Sequence, residues 1–286
     1  QIKQNKYNLA EKNFIKSLMI NENFEPSIKN LYLLYLMQKN ISKMLFCAKK
    51  LVNLNKSKAD YNYYLAMAFE LNHTYDDAIK LYKKSIELNY YQKQNALNNI
   101  GNILLRNKKP EESLRYFQKA YELDKDNIYI IHNLLSNYAE LRDIPQLEIN
   151  LQKLNSLDKD SQTYFYYKAE LLILKNEIID AKKILFKYLN DVRFAVKLIR
   201  LHFIIGDYEK GKKLFLKIKN KIEQDPNYNN FLATTFLYEG DFDNGWKYYD
   251  NRRSKIDSKF DNLREWIGES LLNKKILVFS EQGIGD

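Results

Sequence analysis

The side chains able to do chemistry are few and widely spaced. Asn30, Asn99 and Asn133 fall at one recurring position of a periodic chain. Each amide there offers a donor and an acceptor together. The other recurrences of that position carry Tyr64, Tyr167, Lys197 and Phe231. Asparagine makes up 32 of the 286 residues, so composition alone supplies about one match among seven such positions. Lys210, Lys213, Lys217 and Lys221 recur at helical spacing, joined by Lys212 and Lys219. A basic stripe can hold nucleic acid or anionic lipid. No nucleic-acid motif accompanies it, however, and lysine stems also lie over apolar neighbours on a solvated face. We expect the solvated face and no nucleic-acid partner. His73, His132 and His202 are too far apart along the chain to share a metal ion. The single cysteine, Cys47, excludes an internal disulfide framework or a cysteine zinc cluster and suits a cytoplasmic setting.

What must position these residues is helix. Average usage would give about 20 glycines and about 14 prolines, and the chain has 8 and 4. Such a shortage argues against a turn-rich sandwich or barrel. No run of about 18 apolar residues is present, so no membrane span is expected. The net charge is +10. A small position recurs at Ala10, Met44, Ala78, Ser113, Leu147, Ala181, Gly211 and Gly245, at intervals of 34, 34, 35, 34, 34, 30 and 34. Four residues after each stands a bulkier position: Phe14, Ala48, Tyr82, Phe117, Leu151, Leu185, Phe215 and Tyr249. A packing position on the preceding helix falls at Tyr32, Ala66, Gly101, Leu135, Ala169, Ile199 and Ala233. Close crossing of two helices wants small side chains, and the bulky residue on the same face fills the gap to the next repeat. Pro26, Pro110 and Pro145 stand where helices should begin, where a missing N–H is harmless.

The stretch from Leu97 to Asp124 resembles the tetratricopeptide repeat (TPR). The array is expected over residues 1–254: a half repeat at 1–24, then two-helix units beginning near residues 25, 59, 94, 128, 162, 192 and 226. A lone second helix at the start leaves an apolar face bare, so further repeats are expected upstream.

Five of the eight glycines and both tryptophans lie at or beyond Gly240. Residues 255–270 read as a polar linker. In 271–286 a short apolar run, Lys275 to Ser280, leads into Glu281-Gln282-Gly283-Ile284-Gly285-Asp286. A strand feeding a glycine loop is how α/β nucleotide-binding domains often open. The stretch Gly240-Asp241-Phe242-Asp243-Asn244-Gly245-Trp246-Lys247-Tyr248-Tyr249-Asp250-Asn251-Arg252, then Trp266, Gly268 and Glu269, then Glu281 to Asp286, resembles a bacterial family. In that family a TPR array precedes a glycosyltransferase-like domain related to O-GlcNAc transferases and lipopolysaccharide heptosyltransferases.

The resemblance implies a sugar-transfer domain continuing beyond residue 286. Gly283 and Gly285 would allow close backbone approach to substrate. Asp286 matches the residue proposed as general base in the heptosyltransferases, though it could equally cap a following helix. A nucleotide sugar is implied for the full-length protein, and no cofactor is expected in this chain, which alone should be catalytically inert. In the O-GlcNAc transferase relatives, inner-face asparagines hold extended peptide, which gives Asn30, Asn99 and Asn133 the reading of a peptide groove.

The expected fold is all-α, a TPR superhelical solenoid of antiparallel helix pairs, with the first strand and glycine loop of a truncated α/β domain at its C-terminal edge. The expected function is a protein-interaction arm that presents acceptor protein or glycan to a sugar-transfer domain. The alternative is a scaffold for complex assembly with no enzymatic activity.

Overall fold

The computed structural model describes residues 2–250. The linker at 255–270, the expected strand, Trp266, Gly283, Gly285 and Asp286 lie outside the described residues. Within them the chain is helical throughout, with no strand. The α-helices are α1 (Ile2–Ile20), α2 (Glu25–Met37), α3 (Ile41–Leu54), α4 (Ala59–Leu71), α5 (Tyr75–Glu87), α6 (Lys93–Arg106), α7 (Pro110–Leu123) and α8 (Ile128–Glu140). They continue with α9 (Ile144–Leu157), α10 (Gln162–Leu174), α11 (Ile178–Lys187), α12 (Val192–Ile204), α13 (Tyr208–Ile218), α14 (Tyr228–Glu239) and α15 (Phe242–Asp250).

The described residues form two compact units, divided between Ala181 and Lys182. In the first, α2 pairs with α3, α4 with α5, α6 with α7 and α8 with α9, each hairpin packing on the next. In the second, α12 pairs with α13 and α14 with α15.

One turn is used again and again. One or two residues after each first helix stands a residue with positive φ: Lys39, His73, Lys108, Arg142, Asn176, Gly206 and Gly240. The next N–H reaches back five residues, as in Asn40 to the Tyr35 carbonyl at 2.9 Å, Lys109 to Leu104 at 3.0 Å and Asp207 to His202 at 2.8 Å. This satisfies carbonyls left open at the helix end. That same residue then starts the second helix, and the side chains of Asn40 and Asp143 cap it by accepting from the N–H of Lys43 and Gln146. Five of these seven left-handed positions carry no glycine. The scarcity of glycine therefore reflects turns that bear a side chain at a conformational cost of about 1–2 kcal/mol each.

The repeat positions form the core. Ala78, Ser113 and Ala181 are fully buried, as are Tyr82, Phe117, Leu185 and Phe215 four residues after a small position. Ser113 Oγ donates to the Gly101 carbonyl on the partner helix at 2.8 Å. A Cβ on Gly101 would stand 2.5 Å from the Phe117 ring. Met44 and Leu147, large for a helix crossing, are buried as well. The tyrosines serve packing too. Tyr32 stacks on Tyr64 at 4.9 Å, joining successive repeats, and Tyr63 on Tyr90 at 4.4 Å.

Candidate binding cavity on the first helices

In α6, Asn95, Asn98, Asn99 and Asn102 fall at i, i+3, i+4 and i+7, so one helix face carries four amides. The neighbouring first helix, α8, begins after Asn127 and carries Tyr129, Ile130, His132 and Asn133. Together with Tyr63 of α4 these residues line a cavity of about 360 Å³. That is the low end of the roughly 300–1,000 Å³ range of small-molecule sites. None of the ten lining residues is an acid, a lysine or an arginine.

The amides are held from behind. Asn99 Nδ2 donates to the hydroxyls of Tyr82 at 3.0 Å and Tyr63 at 3.3 Å. Tyr82 in turn donates its one proton to Glu70 Oε2 at 2.7 Å. The Tyr82 oxygen can then only accept, which turns the Asn99 amide nitrogen toward it and leaves the Asn99 carbonyl oxygen without a partner among the described residues. Asn133 Nδ2 donates to Asn98 Oδ1 at 2.8 Å, bridging α8 and α6. Asn127 accepts from the N–H groups of Tyr129 and Ile130 while donating to Asp124, so it fixes the start of α8. His132 contacts the Tyr167 hydroxyl at 3.5 Å.

Glu70 is mostly buried, and Arg106 stands 4.0 Å away. Burial holds the Glu70 carboxyl above its ordinary range, against the opposing pull of Tyr82 and Arg106. Burial also raises the Tyr63 and Tyr82 hydroxyls, so both stay protonated.

The expected asparagines are thus divided. Asn99 and Asn133 line one cavity, whereas Asn30 is exposed on α2 and takes no part. Asn95, Asn98, Asn102 and Asn127 were not singled out from the sequence, although the amide spacing in α6 was there to be read. In the second unit the same position carries Phe231 and Lys197, both buried, and the Lys197 ammonium is pushed down to about 7 by burial and by Arg200.

The lysine stripe breaks up. The α-helix ends at Ile218, and Lys219–Lys221 form a single 3-10 turn, so Lys221 leaves the α-helical face. Lys210 pairs with Asp207 at 3.0 Å and Lys212 with Glu239 at 2.5 Å. Lys213 and Lys217 are exposed. His73 sits in a turn beside Tyr75, and His202 is buried against Asp207. Among the described residues no group of three His, Cys, Asp or Glu side chains could hold a metal ion. Burial pushes the Cys47 thiol up to about 11, which makes it a poor nucleophile.

The described part of the Gly-Asp-Phe segment has structural work to do. Gly240 adopts the left-handed turn. Asp241 accepts from the Asn244 N–H at 3.2 Å. A Cβ on Gly245 would lie 2.6 Å from Leu237. Trp246 remains half exposed at 54%.

Residues 95–127, which include five of the ten residues lining the cavity, match the tetratricopeptide repeat family. The TPR repeat-containing protein YpiA of Bacillus subtilis (strain 168) is 26% identical over 119 residues. That alignment spans 42% of this chain and 28% of YpiA, well under two thirds of the relative's length. Among solved structures, a tetratricopeptide repeat protein from Parabacteroides merdae ATCC 43184 superposes with a TM-score of 0.70 at 10% identity. It covers 82% of this chain and 94% of that one. YrrB, described as a TPR protein with an unusual peptide-binding site, superposes at 0.50 with 18% identity over 62% of this chain and 91% of its own. The fold is that of the TPR solenoids. Among the described residues no helix is long and apolar enough to cross a membrane.

Proposed function

We propose that this chain is a protein-interaction module that docks an extended peptide segment against the first helices α6 and α8. The observation that carries this reading is the cavity itself: amides from two successive repeats converge there with hydrogen-bonding capacity left over. Extended backbone exposes alternating N–H and C=O groups, and an amide can meet either. The peptide-binding site named for YrrB supports the same use of the fold. The test is selection of displayed random peptides on the folded chain, followed by binding to the Asn99→Ala/Asn133→Ala variant. Peptides that lose affinity on the double variant support the reading. Peptides that bind both forms equally refute it.

The three ordered motifs at 240–252, 266–269 and 281–286 favour a finer reading, in which the module serves a cytoplasmic sugar-transfer protein. Its donor would be a nucleotide sugar handled outside the described residues, with Gly283, Gly285 and Asp286 at the entrance of the transfer domain. Expression of the gene extended past residue 286, assayed for nucleotide-sugar hydrolysis and transfer, tests this. An extended protein that turns over no sugar nucleotide returns the chain to the plain scaffold reading.

A further inference from the structure

We propose that the cavity between α6 and α8 selects an uncharged amide side chain, asparagine or glutamine, on the docked peptide. This inference rests on the peptide-docking reading and adds what the site discriminates. The unused hydrogen-bonding groups are of both kinds. Asn99 Oδ1 has no donor, Asn98 Nδ2 has no acceptor, and Asn102 makes no side-chain bond among the described residues. A primary amide answers both needs with one planar group. An aliphatic side chain would leave them unmet. A carboxylate brings acceptors alone, and an ammonium donors alone. Either charge would also enter a site whose lining holds no acid, lysine or arginine to answer it, and would lose hydration without compensation.

A mobile asparagine could turn its amide to suit a carboxylate, but Asn99 is prevented from doing so. Its nitrogen is held by Tyr82, whose proton is committed to Glu70, so the Asn99 oxygen keeps facing the ligand as an acceptor. Glu70 and Tyr82 are therefore positioning residues for the discrimination against acids.

The experiment uses N-acetyl-glutamine N′-methylamide and its glutamate and leucine counterparts, titrated at pH 7 into the ¹⁵N-labelled chain. Side-chain NH₂ signals of Asn98, Asn99, Asn102 and Asn133 are followed. The glutamine probe should shift these signals and saturate at roughly tenfold lower concentration than either counterpart, the weight of one or two unmatched hydrogen bonds. Tyr82→Phe frees Asn99 to turn and should bring the glutamine and glutamate probes to within about threefold of each other, with the fold retained by circular dichroism. An equal response to glutamate or leucine in the parent chain, or no response to any probe, overturns the inference. If selected peptides still depend on Asn99 and Asn133 in that event, docking stands and only the side-chain preference falls. If no such peptides exist, both fall.

Discussion

Gly101→Ala should destabilise the first unit, although alanine is the better helix former. Gly101 lies inside α6, where the exchange alone would gain about 1 kcal/mol. The new methyl carbon would stand 2.5 Å from Phe117 Cε1, 2.6 Å from Cδ1 and 3.0 Å from Cζ. Carbon atoms rest at about 3.5–4.0 Å, so the ring must retreat by roughly 1 Å. It has little room, because Phe117 is fully buried in the cluster that holds Ala120, Ile131 and Leu134. Overpacking of this kind costs about 1–3 kcal/mol, and the severity of the overlap puts this case near the top. The net expected loss is about 1–2 kcal/mol. Urea unfolding followed by circular dichroism measures it. Phe117→Leu provides the check on mechanism, since the smaller side chain vacates the space the methyl needs. The double variant should then be more stable than the two single losses predict, with a coupling of at least about 0.5 kcal/mol. A stabilised Gly101→Ala, or strict additivity with Phe117→Leu, would refute the steric argument.

Lys108→Gly should stabilise by about 1 kcal/mol, because Lys108 is exposed at φ 59° and the change relieves only backbone strain; thermal unfolding reads it. Gly206→Ala should lose a similar amount, since its φ is +78° and a Cβ there meets nothing within 4 Å, which separates conformational cost from clash. Glu70 has its folded-state pKa raised above 4.5, so the folded chain holds that proton more tightly than the unfolded chain. Its contribution to stability therefore falls as pH rises from about 4.5 through the raised value, and Glu70→Gln should flatten that part of the profile of urea midpoints.

The repeat architecture was legible because close helix crossing restricts residue types at fixed intervals. Ala78, Ser113, Gly101 and Phe117 have the packing roles their positions suggest. The turns were harder to see. Lys39, His73, Lys108 and Arg142 occupy left-handed positions that glycine usually marks, so the local signal was missing. The site was half legible. A ladder of amides needs successive repeats to carry asparagine at the same position, and only Asn99 and Asn133 satisfy that. Asn30 is followed by Tyr64, whose ring is taken up by Tyr32. The orientation of Asn99 could not be read at all, because it depends on Glu70 acting through Tyr82 on different helices. Periodicity reports which face a residue occupies, not which neighbour holds its proton.

A chain of net charge +10 with an uncharged cavity separates attraction from recognition. The exposed lysines, Lys213 and Lys217 among them, contribute to a field that speeds the approach of acidic partners, and salt screens it over about 8–10 Å. The cavity offers hydrogen bonds between neutral groups, which salt hardly touches. Two salt responses should therefore coexist. For a neutral selected peptide, affinity measured by calorimetry should stay flat between low and physiological salt. For the same peptide flanked by glutamates, the association rate should fall with salt while the dissociation rate, set by the amide contacts, holds steady. A neutral peptide whose affinity drops steeply with salt would mean that the lysines, and not the asparagines, make the binding surface.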